Sequence, residues 1–246
     1  MHITMHKMKR CRKTLLMMVL AIGVFIMGAA PDADAGFKLS LDDLGDASAA
    51  TVIADGGTED LSAGVDGNIT FIGLVGGFNI GVTIGVSKPG GLNSSSIAQM
   101  HINNFTLDGS GMLRVLLTDT GFNLSDLAPP ATDVILTNGI GGSASGNATV
   151  EAWGFFATGN SEFDMTGVSV HNSPLSGFGF SDVSTNQFTY NGGDFTLTEK
   201  IDITMSTGGV SFDKTIQLST PEPSTLFLLG VGLVGFAAFA RRRKKA

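Results

Sequence analysis

Hydrophobic and polar residues alternate along much of the chain between positions 36 and 219. Residues 79–87, with the sequence NIGVTIGVS, place an apolar side chain at every second position. This period of two predicts a strand with one buried face, and the sequence KPGG at 88–91 predicts a turn after it. Further short segments of strand character lie at 69–75, 100–107, 112–117, 134–137, 148–157, 168–171 and 187–190. Segment 42–66 is less regular and is compatible with a short helical turn.

The last two predicted strands cover 195–205 and 210–218, separated by a Gly-rich loop. We interpret them as a β-hairpin in which Met205 faces Val210. Glu199 and Lys214 interrupt the two apolar faces, and in this register they are diagonal neighbours. We therefore predict an ion pair between them, most simply a partly exposed pair near the sheet margin. Ten or so short strands joined by Gly-rich turns predict an all-β fold, a single β-sandwich or jelly-roll-like domain over 36–219.

The first 35 residues have the organisation of a secretory signal peptide. Five basic residues lie within the first thirteen positions, and an uncharged apolar run follows at 15–30. Ala33 and Ala35 then supply small residues at the −3 and −1 positions of a cleavage before Gly36. An uncleaved anchor helix is the alternative interpretation. The sequence thus predicts an exported protein.

The chain closes with an apolar segment and a basic cluster. Residues 226–240 carry no charge, and as a helix they would extend about 22 Å, less than the roughly 30 Å of a bilayer core. Such a short transmembrane helix suits transient anchoring. The basic residues after it should remain cytoplasmic; they are Arg241, Arg242, Arg243, Lys244 and Lys245.

Pro221, Glu222 and Pro223 precede this helix, and the two prolines favour an extended backbone there. The order of this triplet, a Gly-rich apolar helix and an Arg-rich end resembles the PEP-CTERM sorting signal over residues 220–246. That resemblance implies recognition by an exosortase, a membrane-embedded transpeptidase-like enzyme of Gram-negative bacteria that make exopolysaccharide. It further implies that the tail is removed and that the body is released or attached at the cell surface. A plain C-terminal anchor is the alternative.

Charge excludes one class of partner. Between positions 36 and 219 there are five basic and nineteen acidic residues, a net charge of −14. Such a body repels phosphate backbones, so we expect no nucleic-acid binding. The chain's single cysteine, Cys11, lies in the predicted signal peptide, so the body has neither a disulfide nor a thiol nucleophile.

Several side chains are candidates for binding. Calcium is the first candidate ligand, because four carboxylates crowd one Gly-rich region and hard oxygen ligands suit Ca²⁺; they are Asp55, Glu59, Asp60 and Asp66. The spacing matches neither the EF-hand loop nor the nonapeptide repeats of calcium β-helices, and solvated acidic turns are the simpler explanation. The only histidines of the body, His101 and His171, have no second His or Cys within five residues, so a transition-metal site is not expected.

Trp153 is the candidate for glycan binding. Glu151, Trp153 and Phe155 share one face of a predicted strand by alternation, which would place an indole platform beside a carboxylate. A tryptophan between apolar neighbours in a strand is, however, more often part of the core.

These observations predict an exported surface or extracellular-matrix protein, associated with exopolysaccharide and without catalytic activity. We expect it to be anchored briefly in the inner membrane, with its body in the periplasm, before an exosortase processes it. A secreted glycan- or calcium-binding module is the first alternative. A secreted hydrolase is the second, although no nucleophile elbow occurs and no pair of carboxylates stands out.

Overall fold

The computed structural model describes residues 36–84, 87, 97–123 and 132–220, and this part of the chain is built from twelve strands without a helix. The predicted signal peptide, the Pro221–Pro223 triplet, the helix at 226–240 and the basic tail at 241–245 lie outside the described residues, as does Val86. Among the residues that are described, no helix is long and apolar enough to cross a membrane. The strands are β1 (Lys38–Asp43), β2 (Thr51–Ala54), β3 (Thr70–Val75), β4 (Phe78–Ile84), β5 (Ile97–Asp108), β6 (Gly111–Phe122), β7 (Thr132–Ala144), β8 (Ala148–Ala157), β9 (Val168–Ser176), β10 (Phe180–Tyr190), β11 (Phe195–Met205) and β12 (Gly209–Ser219).

The strands form two antiparallel six-stranded sheets. Sheet A has the order β2-β1-β6-β11-β8-β9, and sheet B has the order β10-β7-β12-β5-β4-β3. Their inner faces contribute to one continuous hydrophobic core, which includes Leu117 and Val150 of sheet A and Phe105 and Leu136 of sheet B. The predicted all-β sandwich is therefore confirmed.

Alternation of buried and exposed side chains explains why most strands are recognisable in the sequence. Strand β8 alternates along most of its length, with Val150 and Ala152 buried and Glu151 and Trp153 partly exposed. Each buried position faces the other sheet, so period two is the pattern that a sandwich strand requires. Strands β1 and β2 were not predicted, because they lie in or beside the irregular segment 42–66. That segment contains turns and no helix.

The predicted hairpin between the last two strands is wrong. Strand β11 pairs with β6 and β8 in sheet A, whereas β12 pairs with β5 and β7 in sheet B. The chain crosses from one sheet to the other at 206–208, so the apolar faces of β11 and β12 face each other through the core. An alternating pattern cannot distinguish these arrangements, because the period along each strand is the same in both.

The crossing is stabilised by a neighbouring crossing between β7 and β8. The amide of Ser206 donates to the carbonyl of Asn147 (3.2 Å), and the amide of Ser145 donates to the carbonyl of Gly209 (2.8 Å). Gly208 has φ = 103°, and a Cβ there would lie 2.1 Å from the carbonyl oxygen of Ser145. A glycine is therefore required where the two crossings meet.

Candidate functional site

A row of polar side chains lies inside the sandwich, where apolar residues are the rule. Glu199, Asn138 and Asn172 have no exposed surface, and Lys214 is 1% exposed. Glu199 belongs to sheet A at β11, and Lys214 and Asn138 belong to the neighbouring strands β12 and β7 of sheet B. We refer to these four residues as the buried polar row.

Glu199 and Lys214 meet across the core. Their Oε1 and Nζ atoms are 3.4 Å apart, which confirms the predicted ion pair although the predicted register is wrong. Glu199 precedes the crossing by about as many residues as Lys214 follows it, and both side chains point inward. They therefore meet between the sheets. The expected partial exposure is also wrong, because both side chains are fully buried. Burial raises the pKa of Glu199 and lowers the pKa of Lys214, in each case against the attraction of the other group.

The two asparagines continue the row toward one edge of the sandwich. Lys214 Nζ donates to Asn138 Oδ1 (2.5 Å), and Asn138 Nδ2 donates to Asn172 Oδ1. Asn172 Nδ2 in turn reaches Asp182 Oδ2 (3.0 Å) and Ser184 Oγ (3.2 Å) on the edge strand β10, where both residues are partly exposed. The row therefore connects a fully buried carboxyl group with the surface.

Trp153 lies on the outer face of sheet A and is partly exposed, so it is not a core residue. Its ring stacks on His171 with 4.8 Å between centroids and an interplanar angle of 11°. Lys200 Nζ lies 3.8 Å from the centre of the indole ring. His171 and Lys200 come from β9 and β11, the strands on either side of β8. The structure places Trp153 beside Glu151 as predicted, but side chains from both flanking strands already pack on the indole.

Charged side chains continue across this outer face. Glu151 Oε1 lies 2.9 Å from His171 Nε2. Asp202 accepts two bonds from Arg114, at Nε (2.8 Å) and Nη2 (3.1 Å), and pairs with Lys200 at 3.0 Å. Burial alone would raise the pKa of Asp202, but its bonds to Arg114 and Lys200 hold that pKa below its usual value. These groups satisfy one another within the sheet, as cross-strand pairs commonly do.

The four carboxylates of the calcium hypothesis lie in the loop between β2 and β3. Asp60 is buried and accepts bonds from the amides of Gly56 (3.1 Å), Ser62 (2.9 Å) and Thr70 (2.9 Å), and a fourth from Ser62 Oγ (2.7 Å). Asp60 thus organises the turn.

The other three carboxylates do not join Asp60 in a metal-binding group. Asp55 Oδ2 accepts from the amide of Gly67 (2.6 Å), and Glu59 and Asp66 are exposed. In the part of the chain that the structure describes, no three His, Cys, Asp or Glu side chains are arranged to hold a metal ion. Calcium binding stays a prediction that this geometry does not support.

The two histidines of the body lie on different sheets. His101, on β5 of sheet B, contacts Thr215 Oγ1 through Nδ1 (2.8 Å), and burial lowers its pKa. His171 belongs to sheet A, beside Trp153. They do not meet.

Sequence reasoning missed the two asparagines of the buried polar row. Asn138 and Asn172 occupy inward positions of β7 and β9, each two residues after a buried apolar residue, Leu136 or Val170. An asparagine at such a position was the available signal, because amides are seldom fully buried. Among the predicted signal-cleavage residues only Gly36 is described, and it is buried at the start of the body. Ala33 and Ala35 lie outside the described residues, as do the predicted sorting residues and the basic tail.

The solved structures to which this chain is similar include two with low TM-scores. One is the enzymatically active domain of bacteriophage CBA120 tailspike protein 4, with 9% identity and a TM-score of 0.29, covering 58% of this chain and 19% of that one. Another is the CBM22-1 xylan-binding domain from Paenibacillus barcinonensis Xyn10C, with 13% identity and a TM-score of 0.24, covering 60% and 88%. At these TM-scores neither similarity bears on fold or ligand. No curated protein matches the sequence.

A family model for the PEP-CTERM protein-sorting motif matches residues 219–244. The match begins at the last residue of β12 and includes the Pro221–Pro223 triplet and the apolar segment. A motif of this kind implies export, processing by an exosortase-type enzyme and a destination at the cell surface or outside the cell. The predicted resemblance is thereby confirmed: this chain carries a PEP-CTERM protein-sorting motif that directly follows a β-sandwich body.

Proposed function

We propose that the protein is a non-catalytic structural component of the cell surface or of an exopolysaccharide matrix. In this proposal its body is exported into the periplasm, held at the inner membrane by residues 226–240, and freed when an exosortase cuts near Pro223. The observation that carries the proposal is the sorting motif at residues 219–244.

The body suits a role outside the cell. Its net charge of −14 over residues 36–219 keeps it soluble and discourages self-association. Its hydrophobic core is continuous across both sheets, and this packing stabilises a body that contains no cysteine and hence no disulfide. A matrix protein that must persist without cysteine requires such a core.

The geometry around Trp153 argues against the glycan-binding alternative at that position. A stacking platform needs a free ring face, whereas His171 and Lys200 pack on the indole of Trp153. A sugar would have to displace one of these side chains. The structural role is therefore the better supported of the two.

Within the described part of the body, the hydrolase alternative receives no specific support. A glycosidase needs two carboxyl groups on either side of a substrate. The buried polar row contains one carboxyl group deep in the core, and Asp202 is bonded to Arg114 and Lys200. Neither arrangement offers a paired acid and base to a sugar.

The sorting proposal is tested by mass spectrometry of both termini of the protein from the surface and medium of its own host. We expect a mature N-terminus at Gly36 and a C-terminus near Pro223. A Glu222→Ala variant should retain its tail and stay in the membrane fraction, because the sorting motif is altered. Glu59→Ala, at an exposed carboxylate of the body, is the matched control and should be processed normally.

An intact tail ending at Ala246 in the membrane fraction of the wild-type host would contradict the proposal. The protein would then be a permanently anchored ectodomain. Normal processing of the Glu222→Ala variant would show that the enzyme does not require Glu222.

A further inference from the structure

We propose that Lys214 and Asn138 form an intramolecular amide cross-link, with Glu199 as the proton shuttle. The product joins Lys214 Nζ to Asn138 Cγ and releases one molecule of ammonia. The site is the buried polar row, which the proposed sorting and matrix function does not use.

The three side chains already have the required arrangement. Lys214 and Asn138 lie on the neighbouring strands β12 and β7, with Lys214 opposite Ile140 and Asn138 opposite Ile216. Lys214 Nζ is 2.5 Å from Asn138 Oδ1, one bond away from the carbonyl carbon that it would attack. Glu199 comes from the opposite sheet and places Oε1 at 3.4 Å from the same Nζ. A nucleophile, an electrophile and an acid–base group thus converge.

The surroundings favour the reactive protonation states. All three side chains are at most 1% exposed, and a dry interior disfavours an ion pair relative to a neutral one. Moving one proton from Lys214 to Glu199 gives a neutral amine and a neutral carboxylic acid. Burial acts in this direction on both groups, raising the pKa of Glu199 and lowering the pKa of Lys214. A neutral amine has the lone pair that nucleophilic attack requires.

Gly154 leaves room for the reaction. It lies on β8 directly opposite Glu199 in sheet A. A Cβ at this position would lie 3.2 Å from Asn138 Oδ1 and 2.8 Å from Ile216 Cδ1. The missing side chain therefore allows the Lys214–Asn138 contact to fit between the sheets.

The step balances without any co-reactant. The lone pair of Lys214 Nζ attacks Asn138 Cγ, and a C–N bond forms. Glu199 accepts a proton from Nζ and delivers one to Asn138 Nδ2, whose bond to Cγ then breaks. The products are a secondary amide and ammonia, and no atom is oxidised or reduced.

The leaving group lies at the start of a row of hydrogen-bonded side chains that ends at the surface. Asn138 Nδ2 donates to Asn172 Oδ1 and to the carbonyl of Ala152 (3.4 Å), so acceptors are ready for the departing nitrogen. Asn172 continues to Asp182 and Ser184, which are partly exposed on β10. Ammonia that leaves along this row becomes ammonium in water, which makes the reaction irreversible in practice.

The test is peptide mapping of the denatured wild-type full-length chain. Trypsin cuts after Arg114 and Lys200, so Asn138 belongs to the peptide 115–200 and Lys214 to the peptide that begins at Ile201. We expect these peptides to remain joined, lighter than their sum by one ammonia, with no cleavage after Lys214. Two separate peptides with normal cleavage after Lys214 would overturn the proposal. A loss of water instead would place the bond on a carboxyl group such as Glu199 and would also overturn it.

Variants test the role of each group. Glu199→Gln retains the shape of the side chain but cannot shuttle the proton, and Asn138→Ala removes the electrophile, so both should yield separate peptides. Lys38→Met is the matched control, since Lys38 pairs with Glu162 at the surface, and it should remain cross-linked. Cross-linking in Glu199→Gln at the wild-type level would exclude Glu199 as the shuttle. The wild-type digest decides the main point even if a variant fails to fold, and it is independent of sorting.

Discussion

Two buried carboxyl groups of this molecule, those of Glu199 and Asp60, differ in how the protein compensates their charge. Glu199 lies in the core, where its charged partner is Lys214, with Nζ 3.4 Å from Oε1. Burial of such a group is costly unless it is paired or neutralised. Asp60 is buried too, but three backbone amides and one hydroxyl satisfy its carboxylate. Glu199 therefore depends on Lys214 from the opposite sheet, whereas the loop itself compensates the charge of Asp60.

Asp60 should make stability depend on pH. Burial alone would raise the pKa of Asp60, but hydrogen bonds led by that from the Thr70 amide bring it below its ordinary value. A lowered folded pKa means that the stabilisation is present above the unfolded pKa and is lost as the pH falls through the folded pKa. We expect Asp60→Asn to reduce the free energy of unfolding at neutral pH by about 1–3 kcal/mol, and the difference from wild type to shrink in acid.

Urea unfolding at a series of pH values from neutral to acidic measures this difference. Asp55 acts in the opposite direction, because burial raises its pKa and the charge of Asp60 adds to that rise. Asp60→Asn is therefore also measured in an Asp55→Asn background, where the titration of Asp55 is absent. Glu59→Gln, at an exposed position of the same loop, should behave as wild type. If the difference in the free energy of unfolding between wild type and Asp60→Asn were constant with pH, the amides would not favour the ionised form of Asp60 over its protonated form.

At the scale of elements, the spacing between sheets depends on the absence of a side chain at Gly154. The inner face of β8 lies against Ile216 of β12 there. Gly154→Ala should destabilise the fold by roughly 1–3 kcal/mol, because an overpacked core must shift backbone or rotamers. Thermal unfolding measures the loss.

Gly139 provides the matched control for this substitution. Gly139 lies in β7 of sheet B. A Cβ at this position would meet only Val183 Cγ2 at 3.8 Å, which is an ordinary van der Waals contact. Gly139→Ala should therefore be neutral or slightly stabilising in a strand. Equal effects of the two substitutions would show that the sheets are not packed as tightly at β8 as the structure indicates.

At the scale of the whole molecule, one core joins both sheets, so they should unfold together. The sequence contains one tryptophan and one tyrosine, and they report on different sheets: Trp153 belongs to β8 of sheet A, and Tyr190 belongs to β10 of sheet B. We expect fluorescence of Trp153 and near-ultraviolet absorbance of Tyr190 to give the same urea midpoint, as a single cooperative transition requires. Separate midpoints would mean that the sheets unfold independently.

The local pattern of residues was sufficient to predict most of the strands and the sorting signal. Period two in segments such as 79–87 identifies a strand because burial on one face is a property of neighbouring residues alone. The sorting motif is likewise local, since it lies within the consecutive residues 219–244. The ion pair between Glu199 and Lys214 was predicted from a hairpin register that is wrong, and the two residues meet across the core instead.

Only the tertiary structure decided which strands are neighbours and what the interior polar residues do. Strands β11 and β12 have the same alternation whether they form a hairpin or face each other across a core, and the difference lies in long-range pairing with β5, β6, β7 and β8. Asn138 comes within reach of Lys214 because β7 lies beside β12, and Trp153 faces outward because of the packing of sheet A. Such contacts join residues that are far apart in sequence. The alternation along a strand determines which of its side chains share a face, but it does not determine which other strand lies beside that strand.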